Sequence, residues 1–576
     1  MLYGNREQDL MKNQEIARVL YEIGDYLEME GVQFKPRAYR KAAQNIESLS
    51  VDIEDLYRKG ELENISGVGK SIAKKIEEYL ETGKVKKLQE LKEKAPVDTE
   101  SLMNVEGLGP KTIEILYSEL GIKNLDDLER AAKEGQIRRL KGFGRKTEEK
   151  ILENISLARR KSSRYLLGHV LPQANQIVAQ LRDQVDKIEI AGSLRRKKET
   201  IGDIDILAVS STPERVMRTF THMSNVAKVI EKGVQSSSVR LDSGIQVDLR
   251  VVENKSFGSA LQYFTGSKDH NIALRKVSIR KGYKLNEYGL FKGDNWVSGE
   301  TEEEVYETLG LQWIPPEMRE NRGEINAALE GNLPRIVGYS DLKGDLQTHT
   351  TWSDGAHSVE EMVEEARRLG HEYIAITDHV GSLKIAGGME REEILEQREE
   401  IERVREKYSD IHVLQGCEAN IMKDGSLDVS KELLEELDLV LASIHSSFRM
   451  SEKDMTNRVI KALENEEVNI LAHPTCRKIH KREPININLE KLMEAARENN
   501  VVLEINADPE RLDLKDTNVK RAVDQGVNLS IGTDAHTRNS LQYYELGVAV
   551  ARRGWAKKED IINTYSVKEL LKTLKK

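Results

Sequence analysis

One short pattern is written three times near the start of the chain: Ile65-Ser-Gly-Val-Gly-Lys, Val105-Glu-Gly-Leu-Gly-Pro-Lys and Leu140-Lys-Gly-Phe-Gly-Arg-Lys. Each copy runs into apolar residues at helical spacing, and residues 10–160 keep that period between breaks at Gly and Pro. An internal repeat of this kind predicts an all-α region of helices joined by tight turns. A Gly-x-Gly turn that opens a helix lets backbone N–H groups approach a phosphate closely, and the helix N-terminus adds a favourable dipole. A single copy is explained as well by a turn between packed helices. Three copies, each with Lys or Arg nearby, favour a unit that grips a nucleic-acid strand without reading its bases. The candidate contacts are Gly67, Gly69, Gly107, Gly109, Lys111, Gly142 and Gly144.

The charge distribution agrees with that reading once it is divided. The net charge is -10, yet residues 1–340 hold 54 Lys and Arg against 53 Asp and Glu, and residues 341–576 hold 34 against 45. Residues 131–300 carry 31 basic and 19 acidic groups, a surplus able to neutralise a phosphate backbone, whereas the acidic part suits cations. At 576 residues the chain exceeds what one core supports, and roughly three to five domains are expected. No run of about 18 apolar residues suggests a membrane span. The start, MLYGNREQDLMKNQ, lacks the pattern of a secretion leader, and only two cysteines occur, Cys417 and Cys476. A reducing cytoplasm is expected, with both cysteines packed in the core.

The patterning changes near residues 165–185. Short β-branched runs such as Lys187-Ile-Glu-Ile and Ile204-Asp-Ile-Leu-Ala-Val replace the helical period. Within Ala191-Gly-Ser-Leu-Arg-Arg-Lys-Lys-Glu-Thr-Ile-Gly-Asp-Ile-Asp, Asp203 and Asp205 lie two apart on an expected strand and so share one face. Paired carboxylates repel unless a cation sits between them, and Mg²⁺ held in this way commonly also takes substrate phosphates. Asp248, in Ile245-Gln-Val-Asp, is placed to complete the site. Two ions on three carboxylates can activate a primer 3′-hydroxyl and stabilise the departing pyrophosphate, with Gly192-Ser193 and Arg196 on the triphosphate.

This stretch resembles the nucleotidyltransferase palm of family X DNA polymerases, the group containing DNA polymerase beta. The likeness continues through Tyr263-Phe-Thr-Gly-Ser-Lys-Asp-His-Asn and Asn286-Glu-Tyr-Gly-Leu-Phe to about residue 318. It implies that Asp203, Asp205 and Asp248 bind Mg²⁺ or Mn²⁺, with Asp248 as base. It further implies that Ser193, Arg196 and Gly202 contact the triphosphate, while Tyr263, Phe264, Gly266 and Asn271 line the nucleoside pocket. Lys268 stands where DNA polymerase beta has an acidic residue, so base-side contacts are expected to differ. The three repeats resemble helix-hairpin-helix motifs, whose turn carbonyls can also hold a monovalent cation. Residues 10–85 look like the family's small N-terminal domain, and Lys75 occupies the position of its Schiff-base lysine. Glu63, Ser71 and Phe34 replace residues that the 5′-deoxyribose phosphate lyase uses. The expectation is therefore a solvated Lys75 on a helix, without lyase activity.

Past a connection rich in Pro, Gly and polar residues at about 313–335, short apolar strands alternate with charged helices, an α/β layout that suggests a barrel. His349, Asp354, His379, Glu418, His445, His473, Asp534 and His536 all fall beside expected strands or at their ends. Imidazole with carboxylate suits Zn²⁺, Mn²⁺ or Fe²⁺, and clustered ions of this type hydrolyse phosphoesters. The stretches Gly344-Asp-Leu-Gln-Thr-His, Thr377-Asp-His, Ala472-His-Pro and Gly532-Thr-Asp-Ala-His resemble the polymerase and histidinol phosphatase (PHP) family. Gln347 stands where that family usually has the first histidine of His-x-His, and an amide oxygen is a poorer ligand for these metals.

The expected chain is multidomain. An N-terminal helix-hairpin-helix domain (1–85) precedes a fingers-like helical domain with two further motifs (86–162), an α/β nucleotidyltransferase palm (163–255) and a small α+β thumb (256–318). A linker (319–340) leads to a C-terminal α/β PHP barrel (341–576). The resemblance implies gap-filling polymerisation in base excision repair with 3′-5′ exonuclease and abasic-site endonuclease activity, acting as a monomer on gapped, nicked or primer-template DNA with dNTPs. Two other readings fit parts of the chain: a non-catalytic scaffold for DNA ends, and a small-molecule phosphatase tethered by its N-terminal half.

Overall fold

The structure is a computed structural model, and it describes every residue except 1–3, 30–31, 48–52, 66, 95–96, 104, 106–107, 162–163, 382–386 and 575–576. Of the expected DNA contacts, Gly107 lies outside the described residues. The chain divides into two compact units, residues 1–163 with 480–483, and residues 164–479 with 484–576.

The first unit is helical, and its repeats share one construction. In the first repeat, Gly69 sits in extended conformation (φ -94°, ψ 171°) as N-cap of the helix Lys70–Thr82. That helix buries Ile72, Ala73 and Ile76 and stops at Gly83, whose positive φ turns the chain away. In the second, Gly109 (φ -96°, ψ 173°) caps Pro110–Leu120, with proline in the first turn and Gly121 as the left-handed stop. In the third, the helix Arg145–Lys161 begins directly after Gly144. The turns match as well: Val68, Leu108 and Phe143 each donate a backbone hydrogen bond three residues back, to the carbonyls of Ile65, Val105 and Leu140.

The second unit opens with a short antiparallel pair, β1 (Tyr165–Leu166) and β3 (Thr200–Ile201). A five-stranded sheet follows, in the order β2 (Lys187–Ile190), β4 (Asp203–Val209), β7 (Gln246–Val251), β6 (Ser236–Leu241) and β5 (Val226–Lys232). β4 and β7 run parallel and the other pairs antiparallel. Alternation along β4 sorts its side chains. Ile204, Ile206 and Ala208 join a core with Val170, Ile177, Val216 and Phe220 from the helices Leu167–Leu181 and Pro213–Thr221. Leu207 and Val209 face the other way, onto Phe257, Ala260 and Leu261 of the helix Phe257–Thr265. Asp203 and Asp205 share that second face, by the period-two rule.

The helix Lys268–Arg280 and the antiparallel sheet β8 (Lys284–Asn286), β9 (Gly289–Lys292) and β10 (Asn295–Ser298) follow. The proline- and glycine-rich stretch that read as a connection is packed rather than slack. Arg319 is fully buried and paired with Glu302 through both terminal nitrogens, at 2.5 and 3.0 Å, and the helix Glu324–Glu330 buries Ile325 and Ala328. Its prolines and glycines mark turns between packed pieces, which composition alone does not distinguish from a free linker.

The expected α/β barrel is present from β11 onward. Seven strands, β11 (Gly344–Asp345), β12 (Tyr373–Ile376), β13 (His412–Asn420), β14 (Leu439–Ser443), β15 (Ile470–Leu471), β16 (Val502–Asn506) and β17 (Leu529–Gly532), pair in sequence order, all parallel. The ring nearly closes just past the strand ends. There Thr348 bridges Ala535, with His349 N donating to Ala535 O at 2.9 Å and Asp534 N to Gln347 O at 3.1 Å. The strands are buried almost throughout, as parallel strands covered by helices require. Cys417 and Cys476 are both buried in this packing. No helix among the described residues is long and apolar enough to cross a membrane.

Candidate active sites

On the palm sheet the parallel register sets Asp205 directly beside Asp248, and Asp203 beside Gln246. Three carboxylates on adjacent strands repel one another. Burial, then Asp203 and Asp248, push the Asp205 carboxyl up to about 7, and burial followed by Asp248 raises Asp203. A site that disfavours its own negative charge in this way is suited to a cation. Asp248 is held by hydrogen bonds from Ser238 and from Gln246 Nε2, the latter at 3.2 and 3.1 Å to its two oxygens. Neither partner is legible as a site residue from the sequence. Gly192 (φ 62°) is required here, because any Cβ would strike the Asp205 carboxylate.

A cavity of about 840 Å³ opens beside these carboxylates. Its walls include Ser193, Arg196, Asp203, Asp205, Tyr263, Phe264, Gly266 and Asn271, and also Lys268, which the sequence marked as a departure. Gly202 and Asp248 are not on its wall; Gly202 sits against the Arg164 guanidinium instead. Asn271 is fixed at both ends, its amide nitrogen donating to Tyr263 O at 2.7 Å and its oxygen accepting from Gln262 at 2.7 Å. The neighbours Arg195 and Arg196 part company. Arg195 pairs with buried Glu302 through two 2.8 Å contacts, while Arg196 stays on the cavity wall, its Nε on Glu320 at 3.0 Å and its Nη1 on the Thr265 carbonyl.

The barrel gathers the second set at the carboxyl ends of its strands. Glu418, fully buried on β13, lies at the centre. His445 and His473 reach its Oε1 at 3.1 and 3.2 Å, and His349 and His379 approach its Oε2 at 3.3 and 3.8 Å. His349 also meets Asp534 at 3.2 Å, and Asp354 meets His536 at 3.2 Å and His379 at 3.7 Å. Among the described residues, three groups of side chains have ligand atoms close enough to share an ion: His349, Asp354, His379 and His536; His379, Glu418 and His445; and His349, Glu418 and Asp534.

The donor atoms fit metal. His349 Nδ1, His379 Nδ1 and His473 Nδ1 are buried without a hydrogen-bond partner among the described residues, and His349 Nε2, though within 3.3 Å of Glu418 and Asp534, makes no well-directed hydrogen bond to either. Such groups are costly to bury unless a ligand satisfies them. Burial drops the His379 imidazole to about 4, and burial followed by Arg511 lowers His473, so both favour the neutral form that coordinates metal. Burial alone would raise Glu418, but His379, His349, His445 and His473 outweigh it and hold the carboxyl well below its usual range.

Gln347 turns its amide nitrogen toward this cluster, donating to Glu418 Oε2 at 2.9 Å, while its oxygen accepts from Asn506 at 3.4 Å. Three supporting residues carry no signal of their own in the sequence motifs. Glu504 on β16 accepts the His473 N–H at 2.7 Å, Asn506 donates to Asp534 at 3.1 Å, and Arg511 reaches the same oxygen at 3.3 Å. The one available hint is an acidic residue inside the apolar run Val501-Val-Leu-Glu-Ile.

In the helical unit, an added Cβ at Gly69, Gly109, Gly142 or Gly144 would meet nothing within 4 Å. Gly142 is explained by its positive φ of 90°. Gly69, Gly109 and Gly144 have open space where a side chain would stand and no left-handed φ, and Gly69 and Gly109 serve as helix N-caps, a position that glycine suits. Lys111 Nζ is 3.8 Å from Glu28 and largely exposed. Lys75 bonds back onto Ser71 of its own helix, at 2.9 Å to the carbonyl and 3.2 Å to the hydroxyl. Gly109→Asp keeps a good N-cap in an accessible conformation, so thermal stability should hold, while a negative charge at the turn should lower DNA affinity on the order of tenfold at low salt. A binding titration beside a melting curve checks this; unchanged affinity would remove the turn from the DNA contact.

These sites have counterparts in known proteins. Residues 11–85 match the helix-hairpin-helix domain family, 99–156 the SAM-like helix-hairpin-helix tandem, 260–320 the DNA polymerase beta thumb and 345–508 the PHP domain. The chain is 37% identical over 576 residues to the DNA polymerase/3′-5′ exonuclease PolX of Bacillus subtilis (strain 168), covering 98% of this chain and 100% of that protein. It is 26% identical over 352 residues to the DNA polymerase lambda of Arabidopsis thaliana, covering 53% of this chain and 62% of that protein. A probable phosphatase of Thermoanaerobacter sp. (strain X514) is 30% identical over 246 residues, which are 40% of this chain and 95% of the phosphatase.

Proposed function

We propose that this chain, which belongs to the family X DNA polymerases carrying a C-terminal PHP domain, fills short gaps in DNA during repair and trims 3′ ends through its barrel cluster. It is a DNA-directed DNA polymerase with 3′-5′ exonuclease activity, its substrates are DNA and dNTPs, and it depends on divalent metal ions. The observation that carries the division of labour is that the palm carboxylates and the barrel histidines are separate sets on separate sheets.

In the palm, Asp203, Asp205 and Asp248 would hold Mg²⁺ or Mn²⁺, which supplies positive charge to the reacting phosphate and the leaving pyrophosphate. Asp248, whose carboxylate is held by Ser238 and Gln246, would take the proton of the primer 3′-hydroxyl. Ser193 and Arg196 bind the triphosphate, and Tyr263, Phe264, Gly266 and Asn271 shape the nucleoside pocket; a triphosphate contact for Gly202, which is off the cavity wall, rests on the family resemblance alone. The helix-hairpin-helix turns hold the DNA backbone, and their carbonyls take a monovalent cation. Lys75, bonded to its own helix, has no lyase role in this reading. The domain order is the one set out from the sequence, and the chain acts as a cytoplasmic monomer.

In the barrel, His349, Asp354, His379, Glu418, His445, His473, Asp534 and His536 would hold Zn²⁺, Mn²⁺ or Fe²⁺, which polarises the phosphoester and activates water. Abasic-site cleavage belongs to the same cluster. Gln347 leaves one position of this set with an amide. Gln347→His should therefore lower the Mn²⁺ concentration for half-maximal hydrolysis by about tenfold or more, because ligand-shell changes shift affinity by about 10–100-fold. Nucleotide addition should not change. An unaltered Mn²⁺ titration would show that position 347 is not a ligand position.

One matched assay tests the whole reading: extension and degradation of a labelled primer on gapped, abasic and single-stranded DNA, with Mg²⁺ and with Mn²⁺. Template-directed extension across the gap supports it. Binding without extension would favour the DNA-end scaffold, and hydrolysis confined to small phosphate esters the tethered phosphatase.

A further inference from the structure

The cavity beside the palm carboxylates has a wall that the palm does not supply. Arg553 and Asp516 line it together with Arg196 and Arg322, yet both belong to the barrel's helical layer. Arg553 ends the helix Tyr544–Arg553, which packs on β16 and β17; a Cβ on Gly547 of that helix would come within 3.1 Å of Ala507 Cβ. The barrel thus sets the position of Arg553 rigidly.

The contacts of Arg553 converge on one target. Its Nη1 donates to the backbone carbonyl of Arg196 at 2.6 Å and to Glu320 Oε1 at 3.1 Å. That same Glu320 oxygen accepts from Arg196 Nε at 3.0 Å. Arg553 therefore holds Arg196 twice, by its backbone and by the carboxylate that orients its guanidinium. Its Nη2 meets Asp516 Oδ2 at 2.7 Å, an oxygen shared with Arg322 at 3.1 Å. The centre of this network is enclosed, with Arg553 3% exposed and the side chains of Arg196 and Glu320 each 11% exposed, while Arg322 stands at its open edge.

We propose that Arg553 is a positioning residue for nucleotide addition: from the barrel, it fixes Arg196 and the cationic wall that receives the triphosphate of the incoming dNTP. By sharing Glu320, Arg553 keeps that carboxylate from pairing with Arg196 alone, so the arginine retains charge for phosphate. Without Arg553, Glu320 is left to Arg196 and Lys198, and the Arg196 backbone loses its anchor. The inference rests on reading this cavity as the triphosphate site.

The test uses the full chain on a one-nucleotide gap and measures KM for dNTP and kcat for Arg553→Ala, Arg196→Ala and the double variant. Arg553→Ala should raise KM about tenfold or more, the order expected for breaking a buried charged contact, with kcat changed by less than about threefold. Hydrolysis of 3′ ends should stay near wild type, while the melting temperature should fall, because Glu320 and Asp516 lose a buried partner. Because Arg553 acts through Arg196, the double variant should be no worse than Arg196→Ala. Arg553→Lys should recover part of the loss. Should Arg553→Ala lose hydrolysis as well, through misfolding, Asp516→Asn carries the test and should raise KM in the same direction by a smaller factor. An unchanged KM in Arg553→Ala, or in Asp516→Asn where that variant stands in, overturns the inference, as do effects that multiply in the double variant. If Arg196→Ala itself leaves KM unchanged, the triphosphate reading of the cavity fails, and the inference falls with it.

Discussion

Asp205→Ala should abolish nucleotide addition, by on the order of a thousandfold or more, while leaving 3′-end hydrolysis intact. Changes one layer removed from a metal already cost about 10–100-fold, and Asp205 stands in the carboxylate set itself, opposite Asp248 on the neighbouring strand. The variant should also fold. Burial and its two acidic neighbours raise the Asp205 carboxyl to about 7, so the protonated form is the one the folded chain favours. The stability from that preference is complete below the unfolded value near 3.8 and is lost as pH rises through about 7. At pH 8 without metal, then, Asp205 opposes folding, and removing it should leave the melting temperature equal or higher. Primer extension and a melting curve on one preparation check both parts. Loss of hydrolysis in a folded Asp205→Ala would contradict separate sites.

Glu418→Gln should have the opposite effect, reducing 3′-end hydrolysis by on the order of a hundredfold or more and sparing nucleotide addition. Glu418 is the carboxylate common to two of the three candidate ion groups, and four imidazoles lie within 3.8 Å of it. Its carboxyl is held far down by those histidines against burial, so its contribution to stability is present above about 4.5 and fades as pH falls below that. Truncation to alanine would leave buried imidazoles unpaired; glutamine keeps the shape and removes the charge. His445→Ala, at a position 18% exposed, should give the same functional result with less effect on folding. Unchanged nuclease rates in both variants would place hydrolysis elsewhere.

Much of this organisation is legible from local patterns. The three Gly-x-Gly turns, the Asp-x-Asp strand and the histidines at strand ends all lie in short segments whose period fixes which side chains share a face. What escapes a local reading depends on packing between distant segments. Ser238 reaches Asp248 because β6 and β7 lie side by side. Glu504 and Arg511 support the barrel cluster from loops and strands with no metal-type motif of their own. Arg195 and Arg196 are adjacent in sequence and alike in chemistry, yet the nearby Glu302 takes the first and the cavity keeps the second. Arg553 stands 357 residues from the arginine it holds, a distance that no local pattern spans.

The most direct test of two independent reactions in one chain is a length analysis of a single labelled primer on gapped DNA, with dNTPs and Mn²⁺, incubated separately with Asp205→Ala and Glu418→Gln. The account predicts products only shorter than the primer from the first variant and only longer from the second, with wild type giving both. A folded variant that loses both ladders, or an Asp205→Ala that still extends the primer, would contradict it.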